Sequence, residues 1–236
     1  GLFQKRPDVV AATSPQFFAA VAAWSVSGLR RLPFVFELGD LWPASISAVG
    51  AMEQGFLLRM MENVELFLYR RSARVAALTQ AFKANLIARG ISGDKIDVVL
   101  NGVDRPRYAP SLPDVAWAGE WGLVDKFVIG YVGTHGMAHG LINVLDAAEK
   151  ISGRENIRFL LVGAGVEREK LVIDAKMRGL TNVVFMPPQP KEAMPRVWSL
   201  CNVALVHLRN LPAFAEVIPS KMFEAMAMGL PILLSL

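Results

Sequence analysis

Short apolar runs alternate with longer stretches of helical periodicity along the chain, the pattern of buried parallel strands covered by helices. In the first half, 8–12, 33–37, 74–78 and 95–100 read as strands, and 16–29, 52–72 and 81–89 as helices. The 52–72 stretch sets Phe56, Met60, Val64 and Phe67 on one stripe, with Arg59, Glu62, Arg70 and Arg71 largely outside it, which predicts an amphipathic helix. Periodicity lapses over about 105–126, where Pro106, Pro110, Pro113 and Gly119 interrupt it. A second series follows: strands at 127–132, 157–162, 183–186 and 203–208, helices at 141–151, 166–178 and 191–199, then the 216–229 segment and a last strand from Pro231. The pattern predicts a doubly wound α/β domain over 1–112, a linker at 113–125 and a second such domain over 126–236. Paired domains of this kind bind ligand between the C-terminal ends of their strands.

Composition narrows the choice. Apolar residues make up 53% of the chain and charged ones 19%, which favours a buried core over disorder. Cys201 is the single cysteine, which excludes an internal disulfide and suits a reducing compartment, and three scattered histidines offer no zinc-ligand spacing. The apolar run 17–26 falls well short of the ~20 residues that a membrane span needs. A net charge of +4 suits a phosphorylated substrate, an anionic membrane face or nucleic acid, but the basic residues are dispersed and no aromatic-interleaved patch speaks for nucleic acid. Gly1 in place of an initiator methionine, and a last apolar run ending without a turn, lead us to expect a fragment truncated at both termini.

Candidate chemistry concentrates late in the chain. In Glu216-Val-Ile-Pro-Ser-Lys-Met-Phe-Glu224, two carboxylates flank a predicted helix start, where Ser220, Lys221 and free backbone N–H groups suit a phosphate, while each carboxylate suits a pair of sugar hydroxyls. Spacing alone is weak evidence. Gly133, Gly136 and Gly140 punctuate the turn after a strand and permit close approach of a ligand, although such turns are also routine connections. Gly163 and Gly165 fit a structural turn better than a binding loop.

Several ordered blocks resemble one family. Asn101-Gly-Val-Asp104 with Tyr108, Gly133-Thr-His-Gly-Met-Ala-His-Gly140, and Pro219-Ser-Lys-Met-Phe-Glu-Ala-Met-Ala-Met-Gly-Leu-Pro231 resemble family 4 glycosyltransferases. Asp40-Leu-Trp-Pro43 and Phe185-Met-Pro-Pro-Gln-Pro190 resemble, within them, bacterial O-antigen, capsule and exopolysaccharide transferases of the fucosyl-N-acetylglucosamine type. The resemblance implies the GT-B fold, two Rossmann-like domains facing a cleft. It further implies metal-independent retaining transfer from a nucleotide-sugar, UDP-linked, to a saccharide or polyprenyl-linked saccharide, with no cofactor. In that scheme the departing diphosphate helps deprotonate the acceptor, and the protein mainly positions the substrates and stabilises the leaving group. A cytoplasmic protein, peripheral on an anionic membrane face, is implied too, and Arg30, Arg31, Arg70, Arg71 and Arg74 agree with it.

Carried over by position, Glu216 is the carboxylate at the donor sugar and Glu224 the one at the ribose. Gly133, Thr134, Gly136, His139, Gly140, Met186, Ser220 and Lys221 complete the implied donor site, with backbone groups at Met186 facing the base. Asp40 is the candidate for the acceptor hydroxyl, with a turn or helix cap as its competing role. Two departures stand out. Thr134 and His139 occupy positions where relatives commonly carry an arginine and a lysine, which turns attention to Lys221 as the diphosphate cation. No histidine stands near Thr13, where many relatives have one. A GT-B-fold nucleotide-sugar 2-epimerase and a non-catalytic sugar-nucleotide scaffold remain alternatives.

Overall fold

The computed structural model describes residues 5–41, 47, 50 and 55–235. Trp42, Pro43, Met52 and Leu236, which enter the blocks and elements named above, lie outside the described residues. The chain forms two units, Gly1–Asn101 with Leu211–Ile218, and Gly102–Asn210 with Pro219–Leu236. The two compact units divide at 101/102, and Leu211–Ile218, which includes Glu216, belongs to the first unit.

The first unit holds a four-stranded parallel sheet in the order β1 (Val10–Thr13), β2 (Phe34–Leu38), β3 (Arg74–Ala77), β4 (Ile96–Val98). Helices α1 (Phe17–Arg30), α2 (Phe56–Arg71) and α3 (Gln80–Ala88) run between the strands. Alternate residues Phe34, Phe36 and Leu38 of β2 enter one core with Leu68, Tyr69, Val75, Phe82 and Ile96.

Helix α2 buries a different stripe from the one its apolar periodicity suggested. Leu58, Met61, Glu65, Leu68 and Tyr69 face inward, whereas Phe56 is 85% exposed, with Met60 and Leu57 also in solvent. The helix is apolar around much of its girth, and the inward carboxylate of Glu65 disguises the buried stripe as polar. Glu65 is satisfied by the Tyr69 hydroxyl and by Arg89, whose Nη2 lies 3.2 Å from Oε2.

In the second unit, the parallel sheet order is β7 (Val183–Met186), β6 (Ile157–Val162), β5 (Phe127–Val132), β8 (Val203–His207), β9 (Ile232–Ser235). Both faces are covered, and β6 shows how: Leu160 and Val162 join a core with Met186, Val197 and Trp198, while Phe159 and Leu161 join another with Leu145 and Leu171. Helices α5 (Ile142–Lys150) and α6 (Arg168–Met177) serve the second core; α4 (Val115–Glu120), α7 (Met194–Ser199) and α8 (Lys221–Ala227) serve the first. Helix α4 lies inside the stretch read as a linker. Asp114 caps it, accepting from Trp117 N at 2.9 Å, and Arg196 pairs with Asp114 at 2.7 Å while its guanidinium covers the Trp117 ring at 4.2 Å. The chain order reverses between β5 and β8, so this sheet has its switch point at the loop after β5.

Candidate functional site

The loop after β5 is fixed from three sides. Gly133 N donates to Val162 O at 3.0 Å and His135 N to Ala164 O at 2.7 Å, which zips the loop to the one after β6. Gly163, at φ +141°, comes so close that a Cβ there would sit 2.0 Å from Gly133 O, and one on Gly165 would sit 2.3 Å from His135 O. Those two glycines are therefore structural, as their sequence context suggested. On the β8 side, Arg209 N donates to Ala138 O at 2.9 Å, and His207 Nδ1 lies 2.7 Å from His139 O. Tyr131, the penultimate residue of β5, donates its hydroxyl to Thr134 O at 2.7 Å.

Lys221 points into this frame. Its Nζ lies 3.8 Å from the Tyr131 ring centroid and close against Gly133, where a Cβ would come within 2.9 Å of it. The stem is half-buried, but Nζ itself is shut off from solvent and has no hydrogen-bond partner. Burial lowers its pKa to about 7, only partly opposed by Glu224 one helical turn on. Sequence suggested a cation here; a pKa of about 7 divides the amine between its charged and neutral forms at neutral pH.

The histidines also differ from expectation. His139 is held at about 4, first by burial and then by the nearby Lys221 charge, so at neutral pH it is an uncharged ring. His135, ranked below it from sequence, is fully buried between Tyr131 and Phe185 with neither ring nitrogen bonded, and burial followed by Arg168 and Lys221 holds it near 4 as well. A histidine between two glycines in a strand-end turn was the available signal. Thr134 is exposed, while Gly136 and Gly140 shape the turn, Gly140 at φ +53° beside Arg209 and His207.

Helix α8 supplies fewer free amides than its sequence promised. Ser220 is exposed and makes no side-chain cap, and the Met222 and Phe223 amides are already taken by the Pro219 and Ser220 carbonyls at 3.0 Å each. Glu224 accepts from Trp198 Nε1 at 3.0 Å through Oε2. The buried Tyr108 hydroxyl is pushed up to about 12 by burial first and by the Glu224 carboxylate second, and it makes no hydrogen bond of ordinary geometry. Met186, fully buried at the end of β7, accepts from Gly163 N through its carbonyl at 3.2 Å, and Pro187 and Pro188 after it are exposed.

Two candidates lie in the first unit. Ser14, at the end of β1, accepts from Gly39 N and Asp40 N at 3.0 and 3.1 Å and donates to Asp40 O at 3.0 Å, pinning Asp40 at the C-terminal end of β2. Sequence reading passed over Ser14, whose part shows only through the fold. The Glu216 carbonyl accepts from Thr79 Oγ1 at 3.2 Å, Val217 packs on the first core, and Glu216 Oε2 is sheltered without a hydrogen-bond partner. Glu216 and Glu224 are thus carried by different units, and structure brings together the set Gly133, Gly136, His139, Gly140, Lys221 and Glu224 on the second. No group of three or more metal-ligating side chains assembles among the described residues.

The family comparison decides what this arrangement belongs to: the glycosyl transferases group 1 family matches residues 117–235, just over half of the chain, and glycosyltransferase family 4 matches 1–107. The chain belongs to the group 1 glycosyl transferases. This glycosyltransferase chain is 26% identical over 242 residues to the putative colanic acid biosynthesis glycosyl transferase WcaI of Escherichia coli K12, covering 95% of this chain and 56% of that protein. It is 23% identical over 205 residues to the putative teichuronic acid biosynthesis glycosyltransferase TuaH of Bacillus subtilis 168, covering 84% of this chain and 49% of that one. The chain thus spans about half the length of these curated relatives. Among solved structures, Anabaena Alr3699/HepE in complex with UDP-glucose superposes with a TM-score of 0.78 at 22% identity, over 96% of this chain and 59% of that one, which establishes the GT-B fold. The epimerase alternative finds no support in these matches.

Proposed function

We propose that this chain is part of a retaining transferase that moves a sugar from a UDP-sugar to a saccharide, lipid-linked or free, in cell-surface polysaccharide synthesis, without a metal ion or cofactor. The observation that carries the proposal is the buried, unpartnered Lys221 amine held against the Gly133 turn at the sheet's switch point, where an α/β domain receives an anionic ligand. Relatives named for colanic and teichuronic acid synthesis, and a neighbour crystallised with UDP-glucose, support the pathway class and the donor.

In this reading Gly133, Thr134, Gly136, His139 and Gly140 line the diphosphate, Lys221 with Ser220 meets its charge, and Met186 borders the base. Glu224 accepts from the ribose hydroxyls with the oxygen that Trp198 leaves free, and Glu216 accepts from the donor sugar. Asp40 attends the acceptor hydroxyl. Leaving-group stabilisation and positioning supply the catalysis, and a diphosphate oxygen takes the acceptor proton. The test uses the full-length protein. Glu224→Ala should weaken UDP binding by about 1.5–3 kcal/mol, roughly 10- to 150-fold, the worth of hydrogen bonds to a charged group. Calorimetric titration that shows equal affinity in both proteins would refute the assignment, and UDP-sugar turnover that yields no glycoside with any saccharide acceptor would refute the reaction.

A further inference from the structure

Lys221 is surrounded by groups that do not neutralise it. On β5, Tyr131 presents its ring to Nζ; in the next loop, His135 and His139 lie near enough to feel the Lys221 charge; and Arg168, at the start of α6, donates to Gly163 O and acts on His135. His207, at the end of β8, backs His139, with Arg209 beside Gly140. Among the described residues, the acid that acts on Lys221 is Glu224, which is engaged by Trp198 and forms no ion pair with the amine. Among the described residues the buried Nζ of Lys221 thus has no anion bonded to it, and burial lowers its pKa as it lowers those of His135 and His139.

We infer that a nucleoside diphosphate supplies that anion and that its binding is coupled to proton uptake by Lys221, so the site becomes a cation only when loaded. This rests on the donor-site reading above. Two phosphates against Nζ favour the ammonium form, and desolvation that held the amine neutral is offset by direct charge pairing. By linkage, the amine sheds its proton again once the diphosphate has left.

The experiment is calorimetry of UDP binding to the full-length protein at about pH 8, in buffers of different ionisation enthalpy. UDP is fully ionised on its phosphates and neutral on its base there, so it contributes little proton exchange of its own. Uptake approaching one proton per UDP is expected, with affinity falling several-fold per pH unit as pH rises above about 7.5. Lys221→Arg, charged throughout, should bind UDP with no uptake and a flat pH dependence, and Lys221→Met should bind more weakly with no uptake. UDP binding without proton exchange in the native protein, or exchange that persists in either variant, overturns the inference and leaves the donor-site reading intact. Failure to bind UDP at any pH overturns both. The native protein's pH slope stands on its own if neither variant folds.

Discussion

Single side chains in this protein are tuned mostly by burial, and Glu65 gives the clearest consequence. It is almost fully buried on α2, and desolvation raises its pKa from 4.5 to about 7 despite the Tyr69 hydroxyl and Arg89. The folded chain therefore holds a proton that the unfolded chain loses between those two values, so Glu65's contribution to stability falls as pH rises through that window and stays low above it. Glu65→Gln is neutral at every pH and escapes that fall. Relative to the native chain it should gain about 2–3 kcal/mol between pH 5 and pH 8, read from urea unfolding followed by tryptophan fluorescence. A gap that stays constant with pH would show that Arg89 keeps the carboxylate ionised. At this scale the sequence was legible for residue identity and weak for charge state: Lys221, His135 and His139 are recognisable as a basic set, but their lowered pKa values depend on packing from β5, β7 and β8 that no local pattern encodes.

Elements were more legible where burial acts on both faces. Strands β5, β6 and β7 coincide with their apolar runs at 127–132, 157–162 and 183–186, because a parallel strand covered on both sides has few polar positions to blur its ends. Helix α4 was hidden by Pro110 and Pro113 before it and by its shortness, although Asp114 marked its start. The face of α2 was misread because a buried carboxylate breaks the apolar stripe that periodicity relies on. The closest approach between elements predicts the sharpest backbone effect. Gly163→Ala would drive a methyl into the Gly133 carbonyl at a positive φ, so it should destabilise the unit by at least about 1–3 kcal/mol and weaken UDP binding through displacement of the Gly133 turn. Gly153→Ala, with open space around its site, should do neither. Thermal unfolding and UDP titration of the two variants compare them directly, and equal behaviour would refute the role given to the loop contact.

For the whole molecule, surface charge and exposed apolar area bear on where it works. On α2, exposed Phe56, Leu57 and Met60 stand beside Arg59, and Arg71 lies over the Phe67 ring, an apolar and cationic surface on a chain of net charge +4. No helix among the described residues is long and apolar enough to cross a membrane, so lipid contact through this surface would be interfacial. The full-length protein should co-sediment with vesicles containing phosphatidylglycerol at low salt, and Phe56→Ser with Arg59→Ser should reduce the bound fraction several-fold. Equal sedimentation of the double variant would remove this surface from consideration. The two-unit α/β plan was legible from alternating runs, while the return of Leu211–Ile218 to the first unit was not, since it rests on Thr79 and the packing of Val217.

That return has a consequence for shuffling of the architecture. A single crossover near residue 102 would hand Glu216 over together with Lys221 and Glu224, setting its backbone against a foreign Thr79 position and its Val217 against a foreign core. Exchange of donor preference between two such proteins is therefore a three-seam operation, with Leu211–Ile218 kept from the parent that supplies the first sheet.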